Sequence, residues 1–261
     1  WGGAVALSPV DDVFIRIERA LDIDSDGQLV ASVLSKKVAA GSSHLVIDMP
    51  VGTTAKVRSK VAADRLGSLF KQVSNELGLN LRVIQTDGSQ PVGRGIGPAL
   101  EARDVLAVLT GSSDRASDLE TRAIRLAGEL LELGNAARAG EGVGMAADII
   151  ASGLAWRAFQ SICDAQGGMR VPPIAAHQHP VETHRSGRVA SIDNRRLAKA
   201  AKLAGAPASK AAGIDLHVSL GSVVEANAPL FTVHAQTHGE LSYALEYIQN
   251  EAAIISVEEA P

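Results

Sequence analysis

The pattern of apolar and polar positions predicts a helix over LVASVLSKKVAAG, residues 29–41. At about 100° per residue, the apolar side chains cover one broad arc, which indicates a largely buried helix. The members of this arc are Val30, Val33, Leu34 and Val38. Asp24 and Ser25 precede the helix as cap candidates, and Gly41 is a natural terminator.

Two serines and two lysines interrupt this otherwise apolar helix. Ser32 and Lys36 are four residues apart and therefore share a face, with Ser35 beside them, whereas Lys37 falls within the apolar arc. A lysine held on a mostly buried helix needs a partner. An anionic or carbonyl-bearing ligand is one candidate for that partner.

Strand and helix patterns alternate from Asp12 to Leu109, which predicts an α/β layer with crossover connections. The alternation in DVFIRIERALDI (12–23) predicts a strand. The short apolar runs HLVIDMPV (44–51) and LRVIQT (81–86) are typical of parallel strands that are covered on both faces. Helical spacing predicts four further helices, the first ended by Gly78 and the third with Asp118 as its cap. They lie in SKVAADRLGSLFKQVSNELGLN (59–80), GPALEARDVLAVLTG (97–111), DLETRAIRLAGELLELG (118–134) and GMAADIIASGLAWRAFQSICDAQGG (144–168).

The pattern changes near Gly167, where GGMRVPPIAAHQHPVETHRSGR contains glycine, proline and few periodic positions. Beyond it, short strands (GRVASI, IDLHVSL, PLFTVHA and AAIISVE) surround two helices, NRRLAKAAKLAG and GELSYALEYIQN. The sequence therefore predicts an α/β core of 1–167, a linker of 168–185 and a smaller α+β domain of 186–261. The fold class is α/β, with a core sheet and crossover helices followed by this C-terminal domain.

Composition narrows the class of protein. Hydrophobic residues make up 46% of the chain and charged residues 21%, as in an ordinary soluble globular protein. A net charge of −4 and few aromatic residues, 3%, argue against a partner that is a nucleic-acid polymer. The single cysteine, Cys163, has no partner for an internal disulfide and is expected in the core of a cytoplasmic protein. No run approaches the roughly 18 apolar residues that a membrane helix needs.

Several long motifs occur in the order seen in the thymidine phosphorylase family. ASVLSKK, LVIDMPVGTTAKV, QTDGSQPVGRGIGPALEARDVLAVLTG and SDLETRAIRLAGELLELG resemble that family. PVDDVFIRIERALDIDSDGQLVASVLSKKVAAG and DMPVGTTAKVRS resemble the branch that is related to AMP phosphorylases. The tail, with SGRVASIDNRRLAKAAKLAG and GIDLHVSLGSVVEANAPLFTVHA, is similar to the family's C-terminal hammerhead-like domain, a barrel-sandwich hybrid.

The resemblance implies a pentosyltransferase that catalyses reversible phosphorolysis. Phosphate attacks C1 of the sugar, and a free base and a sugar 1-phosphate leave. The transition state places negative charge on the base, so the site needs cationic or proton-donating groups there and an anion cradle for phosphate. The implied partners are a nucleoside or nucleotide and inorganic phosphate as co-substrate, with no other cofactor and no metal site. A cytoplasmic homo-oligomer is expected for the full-length protein.

The resemblance assigns the base-binding role to a serine and a lysine of the ASVLSKK helix, which are Ser32 and Lys36 here. Lys36 would neutralise charge on the base carbonyl, and Ser32 would hold an edge of the base by a hydrogen bond. Pyrimidine enzymes of the family add an arginine one strand upstream. Arg16 and Arg19 are both candidates, and the spacing does not choose between them.

The AMP phosphorylase branch implies two further residues. The aspartate ahead of GQL, Asp24, would donate a proton to the leaving base. Lys56, in GTTAKV, would bind the nucleotide, although Thr53 stands where the family usually has proline. The substrate stays open between a pyrimidine nucleoside and AMP, which would give ribose 1,5-bisphosphate.

One difference from the family is expected to affect activity. The family's N-terminal helical domain and its glycine-rich phosphate-binding stretch have no counterpart in this sequence. The chain is therefore expected to be a fragment that is inactive by itself, while the full-length protein is an enzyme.

Two functions other than catalysis also stay open. The chain could be a non-catalytic nucleotide-binding relative, or a carrier-like module with Lys210 as its swinging arm. His177, His179 and His184 are clustered in HQHPVETH, but no carboxylate or cysteine completes a set at metal-binding spacing. We therefore predict no functional metal there.

Overall fold

A computed structural model describes residues 9–10, 13–14, 17, 25–251 and 254–259. The helices from residue 25 onward are α1 (Asp26–Ala39), α2 (Lys60–Glu76), α3 (Pro98–Leu109), α4 (Ser117–Leu133), α5 (Gly142–Ala151), α6 (Leu154–Ala165), α7 (Asn194–Leu203) and α8 (His238–Asn250). The strands are β1 (His44–Val51), β2 (Asn80–Asp87), β3 (Gly95–Ile96), β4 (His177–Glu182), β5 (Gly187–Ile192), β6 (Gly213–Leu216), β7 (Val223–Val224), β8 (Pro229–Ala235) and β9 (Ile255–Glu258). None of the described helices is both long and apolar enough to cross a lipid bilayer.

The N-terminal region is an α/β unit. β1 and β2 pair in parallel, with His44 opposite Asn80, and α2 is the crossover that joins them. α1 and α2 supply helical side chains to a core shared with this strand pair. The buried members of that core are Val30, Leu34, Leu45, Met49, Ala63, Leu66, Phe70 and Leu79. The predicted layer of strands and crossover helices is confirmed here.

The C-terminal region is built on two antiparallel sheets. One has the strand order β3-β6-β8-β4 and the other the order β7-β5-β9. Their apolar faces, together with α7 and α8, enclose a second core that includes Leu197, Ile214, Phe231 and Val233. Strand β3 belongs to a loop of the preceding α/β region with the sequence GRGIG (93–97), called the GRGIG loop. Because β3 pairs with β6, the two regions share a sheet edge. The mixed α/β fold class is confirmed.

The predicted linker contains a strand. β4 pairs antiparallel with β8, and His177 lies opposite Ala235. β4 is an edge strand, where Pro180 is tolerated because it lacks only an outward-facing N–H. Residues 177–182 of the predicted linker therefore form a strand, while the linker of 168–185 and the domain boundaries themselves stay a prediction.

The strand predicted over residues 12–23 is not found where that segment is described. Val13, Phe14 and Ile17 are helical, as is Val10 just before them. The spacing i, i+3, i+4, i+7 of these four apolar residues is that of a helix face, which the apparent alternation concealed. The rest of the segment lies outside the described residues.

Four smaller expectations also differ from the structure. The helix predicted over 144–168 is two helices, because Gly153 adopts a left-handed φ of 73° between α5 and α6. The N-cap of α4 is Ala116, and Asp118 lies in the first turn instead. Cys163 is half-buried on α6 and does not lie in a core. α1 is also less buried than predicted, since Val38 is 44% exposed.

Candidate functional site

The orientation of α1 is set by its cap and its two buried residues. Ser25 is the N-cap, and its hydroxyl accepts a hydrogen bond from the Gln28 N–H at 3.1 Å. Val30 and Leu34 are buried in the core that α1 shares with α2 and the strand pair, and so fix which face of the helix is turned inward. Gly41, with a φ of 72°, follows the helix end as predicted.

This orientation brings Ser32 and Lys36 together at the border between core and solvent. Both are half-buried, whereas Lys37 is exposed. The Lys36 ammonium donates to the Ser32 hydroxyl at 3.1 Å and to the Ser32 carbonyl at 3.3 Å. Because lysine has no acceptor, Ser32 Oγ accepts in this contact and its own proton is directed elsewhere. The pair therefore places an ammonium and a hydroxyl side by side on one face of α1.

Lys56 lies on the loop that follows β1, at the carboxyl edge of the parallel strand pair. The Gly52 N–H donates to the Val57 carbonyl at 3.0 Å and closes this loop into a tight turn. A Cβ on Gly52 would lie 2.4 Å from the Gly88 carbonyl oxygen, so the loops after β1 and β2 touch through their backbones. Ligands of open α/β sheets bind at this strand edge.

A pocket of about 350 Å³ brings Lys56 to the beginning of α1. It is lined by Asp26, Leu29, Lys56, Val57, Arg58, Ala62, Leu66 and Arg195. Asp26 also pairs with Arg65, at 2.7 Å between Nη2 and Oδ2. Ser32 and Lys36 are not among the described residues that line it, and they lie further along the same helix.

Three residues of the predicted site are outside the described part of the chain. Asp24, the candidate proton donor, precedes the first described residue of α1, and Arg16 and Arg19 lie earlier still. The N-cap position of α1 is filled by Ser25, so the cap role considered for Asp24 belongs to its neighbour. The chemical roles of Asp24 and of the two arginines stay predictions.

The structure adds a polar network that sequence reasoning missed. The Thr86 hydroxyl donates to Asp48 at 2.5 Å, and Arg122 on α4 lies 3.3 Å from the second Asp48 oxygen. The Ser89 backbone N–H and hydroxyl donate to Asp87 and, with the nearby Arg122 charge, lower the pKa of that carboxyl. A usable signal was the cluster of polar residues at the ends of two parallel strands.

The GRGIG loop is held by carboxylates. Asp104 is buried, and one of its oxygens accepts from the Arg94 and Gly95 backbone N–H groups at 2.7 Å each. Asp118 accepts from the Gly93 N–H at 3.0 Å. These contacts give the loop a structural role, because they fix it where β3 joins the C-terminal sheet.

The surroundings of the HQHPVETH histidines and of Lys210 bear on the metal site and the carrier arm that the sequence raised. The His177 ring packs on the His238 ring, with 3.9 Å between centroids. Among the residues that the structure describes, no group of three or more His, Cys, Asp or Glu side chains is arranged to hold a metal ion. Lys210 lies in the turn between α7 and β6, where its ammonium donates to the Pro207 carbonyl at 3.3 Å. A swinging-arm lysine would instead occupy the tip of a hairpin between two strands.

Known proteins match both regions of the chain. The pyrimidine nucleoside phosphorylase C-terminal domain family matches residues 188–255. Proteins named "Putative thymidine phosphorylase" are 64% identical in Maricaulis maris, over 99% of this chain, and 64% identical in Polaromonas sp., over 98% of it. "Putative thymidine phosphorylase 2" of Acidovorax sp. is 60% identical over 99% of it. The chain spans about half the length, 50%, of each of these curated relatives. Because the similarity is this high over nearly every residue, the chain belongs to the thymidine phosphorylase family.

Proposed function

We propose that this chain forms the base-binding part of a phosphorylase that acts on a nucleoside or a nucleotide. The observation that supports this most directly is the bonded pair on α1, where Lys36 Nζ lies 3.1 Å from Ser32 Oγ on a half-buried helix face. The proposed reaction is attack of phosphate on C1 of the sugar. The C1–N bond breaks with its electron pair going to the base, and the products are the free base and a sugar 1-phosphate.

The roles of the pair follow from where charge develops. As the C1–N bond breaks, negative charge spreads from the ring nitrogen to the carbonyl oxygens of the base. An ammonium at that edge stabilises the transition state more than the neutral substrate, and this difference accelerates the reaction. Lys36 would supply this charge, and the Ser32 hydroxyl would orient the ring.

Asp24 is proposed as the proton donor to the leaving base. Protonation of a ring nitrogen helps a purine most, because a thymine leaves as a stabilised anion. A donor at this position therefore favours AMP as substrate, with ribose 1,5-bisphosphate as product. The cationic pocket around Lys56 also favours this second candidate, because a nucleoside monophosphate has an anionic group that thymidine lacks.

The phosphate that attacks C1 needs its own anion site. The glycine-rich stretch that would supply it has no counterpart in this sequence, and the curated relatives are about twice as long, since the chain covers 50% of each. We propose that the active protein includes such a stretch, that this chain alone is inactive, and that the full-length protein is a homo-oligomer. A cytoplasmic location also stays a prediction.

A chimaera tests this proposal. The part of the Maricaulis maris relative that this chain does not match would be fused to the 261-residue chain. The chimaera and the chain alone would be assayed with phosphate and each of thymidine, uridine and AMP, by release of free base. We expect base release by the chimaera and none by the chain alone.

The outcomes distinguish three hypotheses: a nucleotide phosphorylase, a nucleoside phosphorylase and a non-catalytic binding protein. Release from AMP but not from thymidine would identify a nucleotide phosphorylase, and the reverse a nucleoside phosphorylase. Calorimetric binding of a nucleoside or nucleotide to the chimaera without release of base would contradict the enzyme and support a non-catalytic binding protein. Base release by the chain alone would contradict the need for a second anion site.

A further inference from the structure

Helix α6 lies at the surface of the N-terminal region. α5 is the described element that it contacts most, and no side chain of α6 is fully buried among the described residues. Its large apolar side chains Leu154 and Ile162 are each about half exposed. Because an amphipathic helix normally turns its apolar side chains inward, this exposure marks a candidate contact surface.

The apolar residues of α6 fall into two adjacent arcs around the helix. At about 100° per residue, Trp156, Phe159 and Cys163 share one arc, and all three are half-buried. The second arc is about 80° wide, and each of its members is exposed. These members, called the exposed stripe, are Leu154, Ala158, Ile162 and Ala165. The exposed stripe is therefore the apolar part of α6 that the described residues leave uncovered.

Two opposite charges lie along one side of the exposed stripe. Arg157 and Asp164 are seven residues apart in α6, so they lie about 20° apart around the helix and about 10 Å apart along its axis. That separation is too long for an ion pair within the helix. Neither side chain forms a hydrogen bond or an ion pair with the described residues. Both charges are therefore available to a partner that covers the stripe.

A second copy of α6, packed antiparallel, is complementary to this surface. A twofold axis that passes between residues 160 and 161 brings Arg157 of each copy level with Asp164 of the other, because the two positions are equidistant from the axis. The axis also brings the same side of each helix together, so the opposite charges meet at one rim of the contact. Ile162 of each copy then lies within one residue of the level of the other copy's Ala158, so a large side chain meets a small one.

We propose that the exposed stripe of α6 is a contact between two copies of this chain, which pair antiparallel with two Arg157–Asp164 ion pairs at the rim. The proposal gives the proposed homo-oligomer a specific surface and does not depend on phosphorolysis. One helix from each copy makes a small interface, so we expect a dissociation constant of about 1–100 µM.

Analytical ultracentrifugation of the 261-residue chain over a range of concentrations tests this inference. The variants are Arg157→Asp, Asp164→Arg and Ile162→Glu, together with an equimolar mixture of the first two. Val61→Glu is the matched control, since Val61 is an apolar residue of α2 that is 80% exposed and lies outside the stripe. Thermal unfolding of each variant checks that the fold is kept.

Each charge reversal alone should weaken dimerisation by about tenfold or more, because two ion pairs become two pairs of like charges. The mixture should dimerise about as tightly as the parent chain, since the acidic variant then faces the basic one and both rim pairs are restored. A variant that failed to fold could not be rescued in this way. Ile162→Glu should weaken dimerisation by about 100-fold or more, because it buries a charge in each copy. Val61→Glu should dimerise as the parent chain does.

Three results would overturn the inference. They are a parent chain that stays monomeric up to about 1 mM, a dimer that Ile162→Glu leaves intact, and a mixture that dimerises no more tightly than its two components. The chimaera tests for a different occupant of the stripe. If the parent chain dimerises and the chimaera is monomeric, the added part of the relative covers the stripe, and the inference fails. Base release by the chimaera is measured separately, so none of these results decides the proposed function.

Discussion

The N-terminal and C-terminal regions of this protein differ in the size of their hydrophobic cores. Among the described residues, the C-terminal core is assembled from seven strands, including β3, and two helices, and it encloses side chains such as Phe231 and Ile214. The N-terminal core is smaller and lies between two parallel strands and two helices, with Phe70 as its largest side chain. The candidate site residues lie on the region with the smaller core.

The difference extends to the helices that follow. α6 has no fully buried residue, and Leu154 and Ile162 are 49% and 56% exposed. α7, by contrast, buries Leu197 completely and bonds to the loops at the strand edge through Asn194. The comparison indicates that the C-terminal region, with its larger core, is a scaffold whose helix α7 donates hydrogen bonds to the loop containing Lys56.

A matched pair of core substitutions gives the largest expected effect. Phe231 and Phe70 are each 2% exposed, and replacement of either by alanine should cost about 3–5 kcal/mol of folding free energy. Hydrogen exchange measured by mass spectrometry would locate the loss. Phe231→Ala should accelerate exchange in β6 and β8 and leave β1 and β2 slow, and Phe70→Ala should do the reverse.

If both substitutions accelerated exchange equally in all four strands, the two cores would be a single cooperative unit. That result would remove the distinction between scaffold and site-bearing region.

Substitution of Asn194 should have a smaller effect that is confined to the contact between the regions. Asn194→Ala leaves the buried Gly88 carbonyl without its donor, which should cost about 1–3 kcal/mol. Exchange of the backbone amides of residues 54–57 should accelerate while β6 and β8 stay protected. Asn194→Asp keeps the side-chain shape but lacks the donor, so it should give the same local result. Unchanged exchange at residues 54–57 would show that α7 does not order this loop.

The smallest expected effect is a pH dependence within the scaffold. His234 is buried on β8, and burial lowers the pKa of its ring, with Arg103 and His217 acting in the same direction and Asp215 opposing them. A lowered pKa means that the unfolded state binds more protons below about pH 6.5. Stability should therefore be complete above that pH and should fall as the pH drops toward 5. His234→Gln should flatten this slope in urea titrations, whereas the exposed His184→Gln should not. An equal slope in His234→Gln would contradict the role of burial.

Local sequence patterns were sufficient to predict many of the helices and strands. The runs 44–51, 187–192 and 229–235 were predicted as strands, and each coincides residue for residue with β1, β5 and β8. These strands are apolar and bounded by turn residues, so the local signal and the tertiary environment agree. Ser32 and Lys36 were placed together for the same reason, since a spacing of four residues is a helical neighbour in any context.

What could not be predicted depends on contacts between distant residues. The β4 segment HQHPVE is mostly polar, with Val181 as the side chain that packs on the C-terminal core, and it is a strand because β8 pairs with it. The Asp48–Arg122 contact joins residues 74 positions apart, and Arg195 reaches the Lys56 loop across 140 positions. Neither pairing leaves a local pattern, because both depend on how the helices pack on the strand edge.

Activity of the chimaera with single lysine substitutions tests the central claim most directly, namely that Lys36 contacts the nucleobase as its bond to the sugar breaks. Lys36→Met should lower kcat/KM for phosphorolysis by about 100-fold or more, because a charge that stabilises the departing base is lost. Lys37→Met, the same substitution at the exposed neighbour, should change it by less than about twofold. Equal losses in the two variants, or full activity in Lys36→Met, would contradict the claim.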